Sequence, residues 1–170
     1  MVELWRDLLG SEHKIYKKPN DVYTIAASKR LHKSLTEKGF DVEKSNSAFY
    51  PQNIPSHLNS HFIRGLFDGD GCITRYFRKK DGVPVVSVYI AGTYSLLTEV
   101  NQRIPEPVPS LPKDKGKKSS HRLILSSQKA KNFLEWIYQD SNGLRLDRKY
   151  QRYIDCLNKE GLFSLDSRKA

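Results

Sequence analysis

The chain has 170 residues, of which 38% are apolar, enough for one core or at most two small cores that share an interface. Its 29 Lys and Arg residues outnumber its 19 Asp and Glu residues, and the formal net charge of +10 indicates a polyanionic partner, with nucleic acid first. No apolar run approaches the length of a membrane span, and the basic residues are not collected on an amphipathic helix, which argues against a membrane partner.

The first forty residues have the spacing of a helix, two strands and a second helix, at residues 2–9, 13–18, 22–27 and 29–38. Gly10 and Gly39 follow the two helical patterns as C-terminal stops. Acidic residues interrupt the first apolar stretch and no small-residue cleavage site follows it, which argues against an export signal. We therefore expect an intracellular protein with reduced Cys72 and Cys156.

A polar, proline-containing connector at residues 41–55 leads to a second and longer region. Ser56 is a predicted N-cap for a helix over residues 57–68, and Lys79-Lys80-Asp81-Gly82 is a predicted hairpin tip. The two strands of that hairpin, the next helix, a later strand and two final helices are predicted at residues 72–78, 83–91, 94–104, 121–127, 129–138 and 148–158.

An internal repeat is visible when residues 24–35 are aligned with residues 123–134, because isoleucine, serine and leucine coincide at one offset. Three identities in twelve positions also fit a chance match between two strand–helix pairs, but the matching order of the flanking elements favours a repeat. Residues 1–50 are therefore interpreted as a partial first unit with its connector. Residues 51–160 are interpreted as a complete second unit, and residues 161–170 as a loose tail.

In a helix that ends at Asp68, four side chains fall on one apolar and nearly flat face: Leu58, Phe62, Gly65 and Gly69. Each helical glycine costs about 1 kcal/mol relative to alanine, so two on one face indicate that another backbone comes close. The pattern predicts a partner helix on this face.

Asp68 and Asp70 lie at the carboxyl end of the same helix, where the helix dipole makes each negative charge unfavourable by about 0.3 to 1 kcal/mol. A hard divalent cation such as Mg²⁺ would offset this cost, with one carboxylate from each of two facing helices and DNA phosphates as ligands. The alternative is that Asp-Gly-Asp-Gly is only a tight, solvated turn.

Residues 61–73 (HFIRGLFDGDGCI) resemble the LAGLIDADG motif of homing endonucleases with its flanks, and the later elements match the αββαββα unit of that family. The resemblance covers residues 56–158 closely and residues 1–50 as the end of a preceding unit. It implies an α+β fold in which a complete αββαββα unit with an antiparallel DNA-binding sheet follows an incomplete αββα unit.

The resemblance also implies roles for individual residues. Asp70, with the adjoining Gly71, would bind the catalytic metal, and Gly65 and Gly69 would let two motif helices cross, while Asp68 would have a structural or capping role. The runs GFDVEKS and LDRKY resemble the places where the family has a basic residue near each active site, which makes Lys44 and Lys149 the candidates, with Arg148 as a substitute. For any single lysine, a solvated surface charge is the alternative.

A hairpin in the DNA major groove reads bases with alternate side chains and holds phosphates with its tip. The alternation leaves two choices open, either Thr74, Tyr76 and Arg78 or Arg75 and Phe77. Residues 113–118 form a predicted basic loop, which His121 and Arg122 continue. This loop suits phosphate contact, although a mobile solvated tip is the alternative. The candidate DNA-binding residues are Arg75, Tyr76, Arg78, Lys79, Lys80, Tyr89, Lys113, Lys115, Lys117, Lys118 and Arg122.

The resemblance implies a sequence-specific, Mg²⁺-dependent endonuclease of double-stranded DNA, a class associated with the mobility of introns or inteins. One motif plus a partial unit implies a second LAGLIDADG unit, either a missing N-terminal segment or another copy of the chain, and this leaves open whether the chain alone is active. The rival interpretations are a non-cleaving DNA-binding regulator, an RNA-splicing maturase and a general basic RNA-binding domain.

Overall fold

The computed structural model describes residues 2–19, 21–24, 28–38, 48–113 and 120–166. Its N-terminal part contains helix α1 (Val2–Leu8), the antiparallel strands β1 (Ile15–Lys18) and β2 (Asp21–Thr24), and helix α2 (Lys29–Glu37). The predicted order αββα is therefore present. Neither helix has a buried residue, so the side chains described in this segment do not form a core of their own.

The second region begins with a short 3-10 helix, Ser56–Leu58, that leads directly into helix α3, Asn59–Asp70. The prediction that Ser56 caps the helix is wrong: the Leu58 backbone N–H donates to the Pro55 carbonyl oxygen at 2.8 Å, and no side chain caps either helix. The predicted end at Asp68 was also too early. Because α3 continues to Asp70, both aspartates belong to its last turn.

The sheet contains three antiparallel strands, β3 (Gly71–Phe77), β4 (Pro84–Gly92) and β5 (His121–Ser126), in that order among the described residues. The predicted hairpin tip joins β3 to β4. Gly82 has φ +66°, a left-handed conformation that glycine adopts without a steric penalty.

The second hairpin of the αββαββα order is represented by β5 and by an isolated antiparallel bridge between Lys113 and His121. Three of the predicted DNA-binding lysines, Lys115, Lys117 and Lys118, lie outside the described residues, as does the predicted catalytic Lys44.

Three helices complete the region: α4 (Tyr94–Arg103), α5 (Gln128–Tyr138) and α6 (Asp147–Asp166). The Thr93 hydroxyl caps α4 by accepting a hydrogen bond from the Leu96 N–H at 3.2 Å. Helix α6 continues to Asp166 instead of ending at Asn158, so residues 161–166 are helical and the predicted loose tail was placed too early.

One hydrophobic core lies between one side of the sheet and the helices. Its fully buried members include Ile63, Phe67, Ile73, Val88, Ile90, Leu97, Leu123, Leu125, Phe133, Leu134 and Ile137. The core holds the carboxyl end of α3 against the start of β3. None of the helices in the described ranges is long and apolar enough to cross a membrane.

Candidate functional site

Helix α3 has a core side and an exposed side. Ile63 and Phe67 are fully buried on the core side, whereas Gly65 and Gly69 are exposed. A Cβ atom added to either glycine would meet nothing within 4 Å in the described structure. We call Leu58, Phe62, Gly65 and Gly69 the glycine face. The predicted partner helix is not supplied by the part of the chain that the structure describes.

An apolar cavity of about 550 Å³ adjoins the glycine face. Leu58 and Phe62 line one side of it, and Phe49 and the end of α2 line the other. Leu58 is 40% exposed and Phe49 is 46% exposed, so large apolar side chains face solvent here. The apolar surface therefore extends beyond the glycines toward the N-terminal segment.

Asp68 is held by two hydrogen bonds. The Tyr138 hydroxyl donates to its Oδ1 atom at 2.8 Å, and the Leu146 backbone N–H donates to its Oδ2 atom at 2.9 Å. Burial raises the pKa of Tyr138, and its hydrogen bond to Asp68 raises it further, so the phenol remains a donor. Both carboxylate oxygens of Asp68 thus connect α3 to the end of α5 and to the start of α6.

Asp70, the last residue of α3, is exposed. Within the described ranges its carboxylate has no hydrogen bond and no ion pair. The next residue, Gly71, is tightly enclosed, since an added Cβ would lie 2.2 Å from the Phe67 ring. Asp70 therefore presents a carboxylate to solvent from a backbone that the core fixes in place.

Lys149 reaches the end of α3 from the first turn of α6. It is only 6% exposed, and its ammonium donates to the carbonyl oxygens of Phe67 at 2.6 Å and Gly71 at 2.5 Å. Burial lowers the pKa of Lys149 and Arg148 lowers it further, whereas Asp68, Cys72 and Asp70 raise it. The predicted basic residue thus lies beside the motif aspartates, where it satisfies carbonyl groups at the helix end. Arg148 is exposed.

Arg64 was not among the predicted site residues, yet it is only 4% exposed within α3. Its guanidinium donates to the carbonyl oxygens of Ile137 at 2.9 Å and Leu144 at 2.8 Å, and its Nη2 atom lies 2.9 Å from His61 Nδ1. Burial lowers the pKa of Arg64, and Asp68 raises it. The available signal was an arginine one helical turn before Asp68 in an otherwise apolar stretch. Arg64 anchors the core side of α3.

The strand register decides which side of the hairpin faces away from the helices. Ile73 pairs with Val88, and Val88 pairs with Leu125; all three are buried in the core. The alternate residues, including Thr74 and Tyr76, lie on the other face. We call this the open face; across the three strands it comprises Cys72, Thr74, Tyr76, Val85, Ser87, Tyr89, Ala91, Arg122, Ile124 and Ser126.

Arg75 and Phe77 have the opposite orientation, on the side of the helices, and the Arg75 guanidinium carbon lies 5.7 Å from the centre of the Phe77 ring. The first of the two predicted alternatives, with Thr74 and Tyr76, thus describes the open face. Tyr76 is 49% exposed on it. Arg122 lies over the Tyr89 ring at 5.1 Å from its centre.

At the hairpin tip, Arg78 forms an ion pair with Asp81, with Nη2 and Oδ2 at 2.6 Å and Nε and Oδ1 at 2.8 Å. This hydrogen-bonded pair raises the pKa of Arg78 and lowers that of Asp81. Lys79, Lys80 and Lys113 are exposed. The tip therefore combines one arginine held by its own turn with lysines that point to solvent.

The end of α3 offers the exposed Asp70 carboxylate as one ligand for a hard cation. The Gly71 carbonyl oxygen, the other predicted ligand, already accepts the 2.5 Å hydrogen bond from Lys149. No group of three or more His, Cys, Asp or Glu side chains that could hold a metal occurs in the described portion of the chain. A complete ligand set at Asp70 would therefore need oxygen atoms from a second unit, from DNA or from water.

Residues 58–138 match the family model described as a LAGLIDADG-like domain. The match includes residues 61–73, so the resemblance carried by those residues is confirmed. A search of curated proteins gave no significant match.

Two solved structures are similar to the chain. The I-LtrWI LAGLIDADG homing endonuclease, bound to its target DNA, aligns with 98% of this chain and 75% of its own at 13% identity and a TM-score of 0.57. The homing endonuclease I-CvuI, in complex with the I-CreI target, aligns with 48% of this chain and 55% of its own at 14% identity and a TM-score of 0.39. The chain thus spans about half the length of I-CvuI. The likeness to I-LtrWI confirms the predicted α+β fold.

Proposed function

We propose that this chain is the DNA-cutting part of a homing endonuclease, which hydrolyses phosphodiesters at a specific sequence of double-stranded DNA with Mg²⁺ or another hard divalent cation. One observation carries the proposal: Asp68 uses both carboxylate oxygens to hold the fold, while Asp70, one residue beyond Gly69, keeps its carboxylate exposed. A carboxylate at a helix carboxyl end is unfavourable unless a cation offsets it. The net charge of +10 supports a DNA partner.

The proposal includes a second LAGLIDADG unit that packs on the glycine face. Gly65 and Gly69 leave space for a close backbone approach, and Leu58 and Phe62 extend that surface with apolar side chains. The unit would come from another copy of the chain or from a further segment of polypeptide. Light scattering of the purified chain distinguishes these two sources of the second unit, because pairing of identical copies through this face gives a symmetric dimer.

In the proposed site, the Asp70 carboxylate would hold the cation on this side of the helix pair. The bound cation would supply an activated water and offset negative charge on the phosphate. Asp68 and Lys149 fix the α3 end, so that Asp70 stays in place without rearrangement. No protein nucleophile is needed.

The proposed DNA interface is the open face together with the hairpin tips. Tyr76, Tyr89 and Arg122 lie where base edges in a major groove would be read, and Lys79, Lys80 and Lys113 lie where phosphates would be held. The lysines of residues 114–119 would extend the phosphate contacts. Arg75 would support the hairpin from the opposite side by packing over Phe77.

The test is a cleavage selection on a randomised duplex library, with the full chain in Mg²⁺ or in EDTA. We expect Mg²⁺-dependent fragments that share one sequence, and Asp70→Asn should lower the cleavage rate of that duplex about a hundredfold or more. Asp140→Asn is the matched control, because Asp140 is also exposed and follows the end of another helix, α5. This control should cut at the wild-type rate.

Two results would contradict the assignment. If Asp70→Asn and Asp140→Asn cut equally well, the position of Asp70 is not part of the reaction. If the chain binds one duplex sequence specifically but does not cut it in Mg²⁺, the protein is a DNA-binding regulator on the same scaffold.

A further inference from the structure

Ile124 lies in the middle of β5 with its side chain on the open face. Its neighbours Leu123 and Leu125 are 1% and 2% exposed in the core, and the alternation of the strand directs Ile124 to the other side. Ile124 is 40% exposed there. It therefore adds little to the buried core, although isoleucine is a strongly apolar side chain.

Hydrogen-bonding groups surround this apolar side chain. Ile124 pairs with Tyr89 across the strands, and Arg122 and Ser126 precede and follow it on the same face of β5. Ser126 already shares a hydrogen bond of 3.0 Å with Ser87. The open face thus presents one exposed aliphatic group among polar ones.

We propose that Ile124 selects a thymine by contact with its C5 methyl group. This inference rests on the proposed function, which brings duplex DNA onto the open face. In unmodified DNA only thymine displays a methyl group in the major groove, and apolar side chains recognise it by contact. An adenine or cytosine in that place would turn a hydrogen-bonding edge toward a side chain that cannot pair with it.

Isoleucine suits this role because it is branched at Cβ. Its χ1 angle is restricted, so little side-chain freedom is lost when the group is held against a base. The contact removes one methyl group from water, which corresponds to about a fourfold change in binding. This is a specificity contact of the binding step and leaves the metal site at Asp70 unchanged.

The experiment uses the full chain and the duplex selected from the randomised library in a buffer without Mg²⁺, so that bound DNA stays intact. Each thymine of that duplex is replaced in turn by uracil, which lacks only the C5 methyl group. We expect one position at which uracil weakens wild-type binding about fourfold. Ile124→Ala should bind the thymine and uracil forms equally, and Ile124→Val should keep part of the difference.

Leu157→Ala is the matched control, since Leu157 is 38% exposed on α6 and lies outside the open face. It should keep the full preference for thymine. A selected duplex in which Ile124→Ala still prefers thymine at every position, or in which no methyl group matters, overturns this inference alone. If no duplex is selected at all, both this inference and the proposed function are contradicted.

Discussion

The core side of α3 and the two glycines of its glycine face differ in the contacts that the described residues make. On the core side, Arg64 and Asp68 form hydrogen bonds to segments near residues 137–146, and Phe67 is fully buried. On the glycine face, a Cβ added to Gly65 or Gly69 would meet no described atom within 4 Å. One helix thus separates the groups that hold the domain together from those left for a partner. Substitutions on the two sides should therefore affect different measurements.

The largest loss of stability is expected from Arg64→Met, at about 3 kcal/mol of unfolding free energy. The methionine fills similar space but leaves the buried carbonyl oxygens of Ile137 and Leu144 without their charged donor. Urea denaturation followed by circular dichroism measures this loss. Arg152→Met, at an exposed position of α6, is the control and should change the value by less than about 0.5 kcal/mol. Equal losses in the two variants would show that Arg64 is no anchor.

The two aspartates give the sharpest comparison. Asp68→Asn should lower the unfolding free energy by about 2 kcal/mol, because an amide cannot accept hydrogen bonds from both Tyr138 and Leu146 in the same geometry. Asp70→Asn should leave it unchanged or raise it by about 0.3 kcal/mol, since it removes a negative charge from a helix carboxyl end. The same denaturation experiment compares them, and a greater loss for Asp70→Asn would reverse our assignment of the two roles.

The smallest expected effect is an increase in the free energy of unfolding. Gly65→Ala should raise the unfolding free energy by about 0.5 to 1 kcal/mol, because alanine favours the helix and its Cβ meets no atom within 4 Å. Gly65→Leu should still fold but should lose DNA cleavage, since its side chain blocks the close approach of a second unit. Thermal melting at a concentration where the chain is monomeric measures the stability of each variant, and the cleavage assay measures its activity. A loss of stability in Gly65→Ala would mean that the glycine face is already covered.

Features that depend on neighbouring residues in the sequence could be predicted from it. The Asp81-Gly82 pair predicted the hairpin tip. The glycine spacing predicted a flat side of α3 with a partner helix on it, and the described residues supply no such helix. Ser56 was misassigned because Pro55 starts a 3-10 turn whose first hydrogen bond is made by its carbonyl group, which no side-chain pattern reveals. The orientation of the first hairpin strand stayed undecided because each side of the predicted strand carries an aromatic and a basic residue, Tyr76 and Arg78 on one and Arg75 and Phe77 on the other. Only the register with β4 and β5 distinguishes the two sides.

The contacts that could not be predicted are those to backbone carbonyl groups. Lys149 was placed near the motif by its resemblance to a family position, but its partners are the carbonyl oxygens of Phe67 and Gly71, which every residue type possesses. Arg64 escaped notice for the same reason. Among 29 basic residues, the sequence does not show that Arg64 and Lys149 are buried against carbonyl groups.

The bonds that hold the α3 end join residues far apart in the chain. Arg64 reaches Leu144, Asp68 reaches Leu146 and Lys149 reaches Phe67, with separations of 80, 78 and 82 residues. Such distant pairings form late, because the entropy cost of closing a long loop must be met before these hydrogen bonds can form. During synthesis on the ribosome, Asp70 emerges well before the lysine that steadies its helix. A nascent polypeptide that stops short of α6 lacks that support, so this end of the helix can assemble only after α6 has been synthesised.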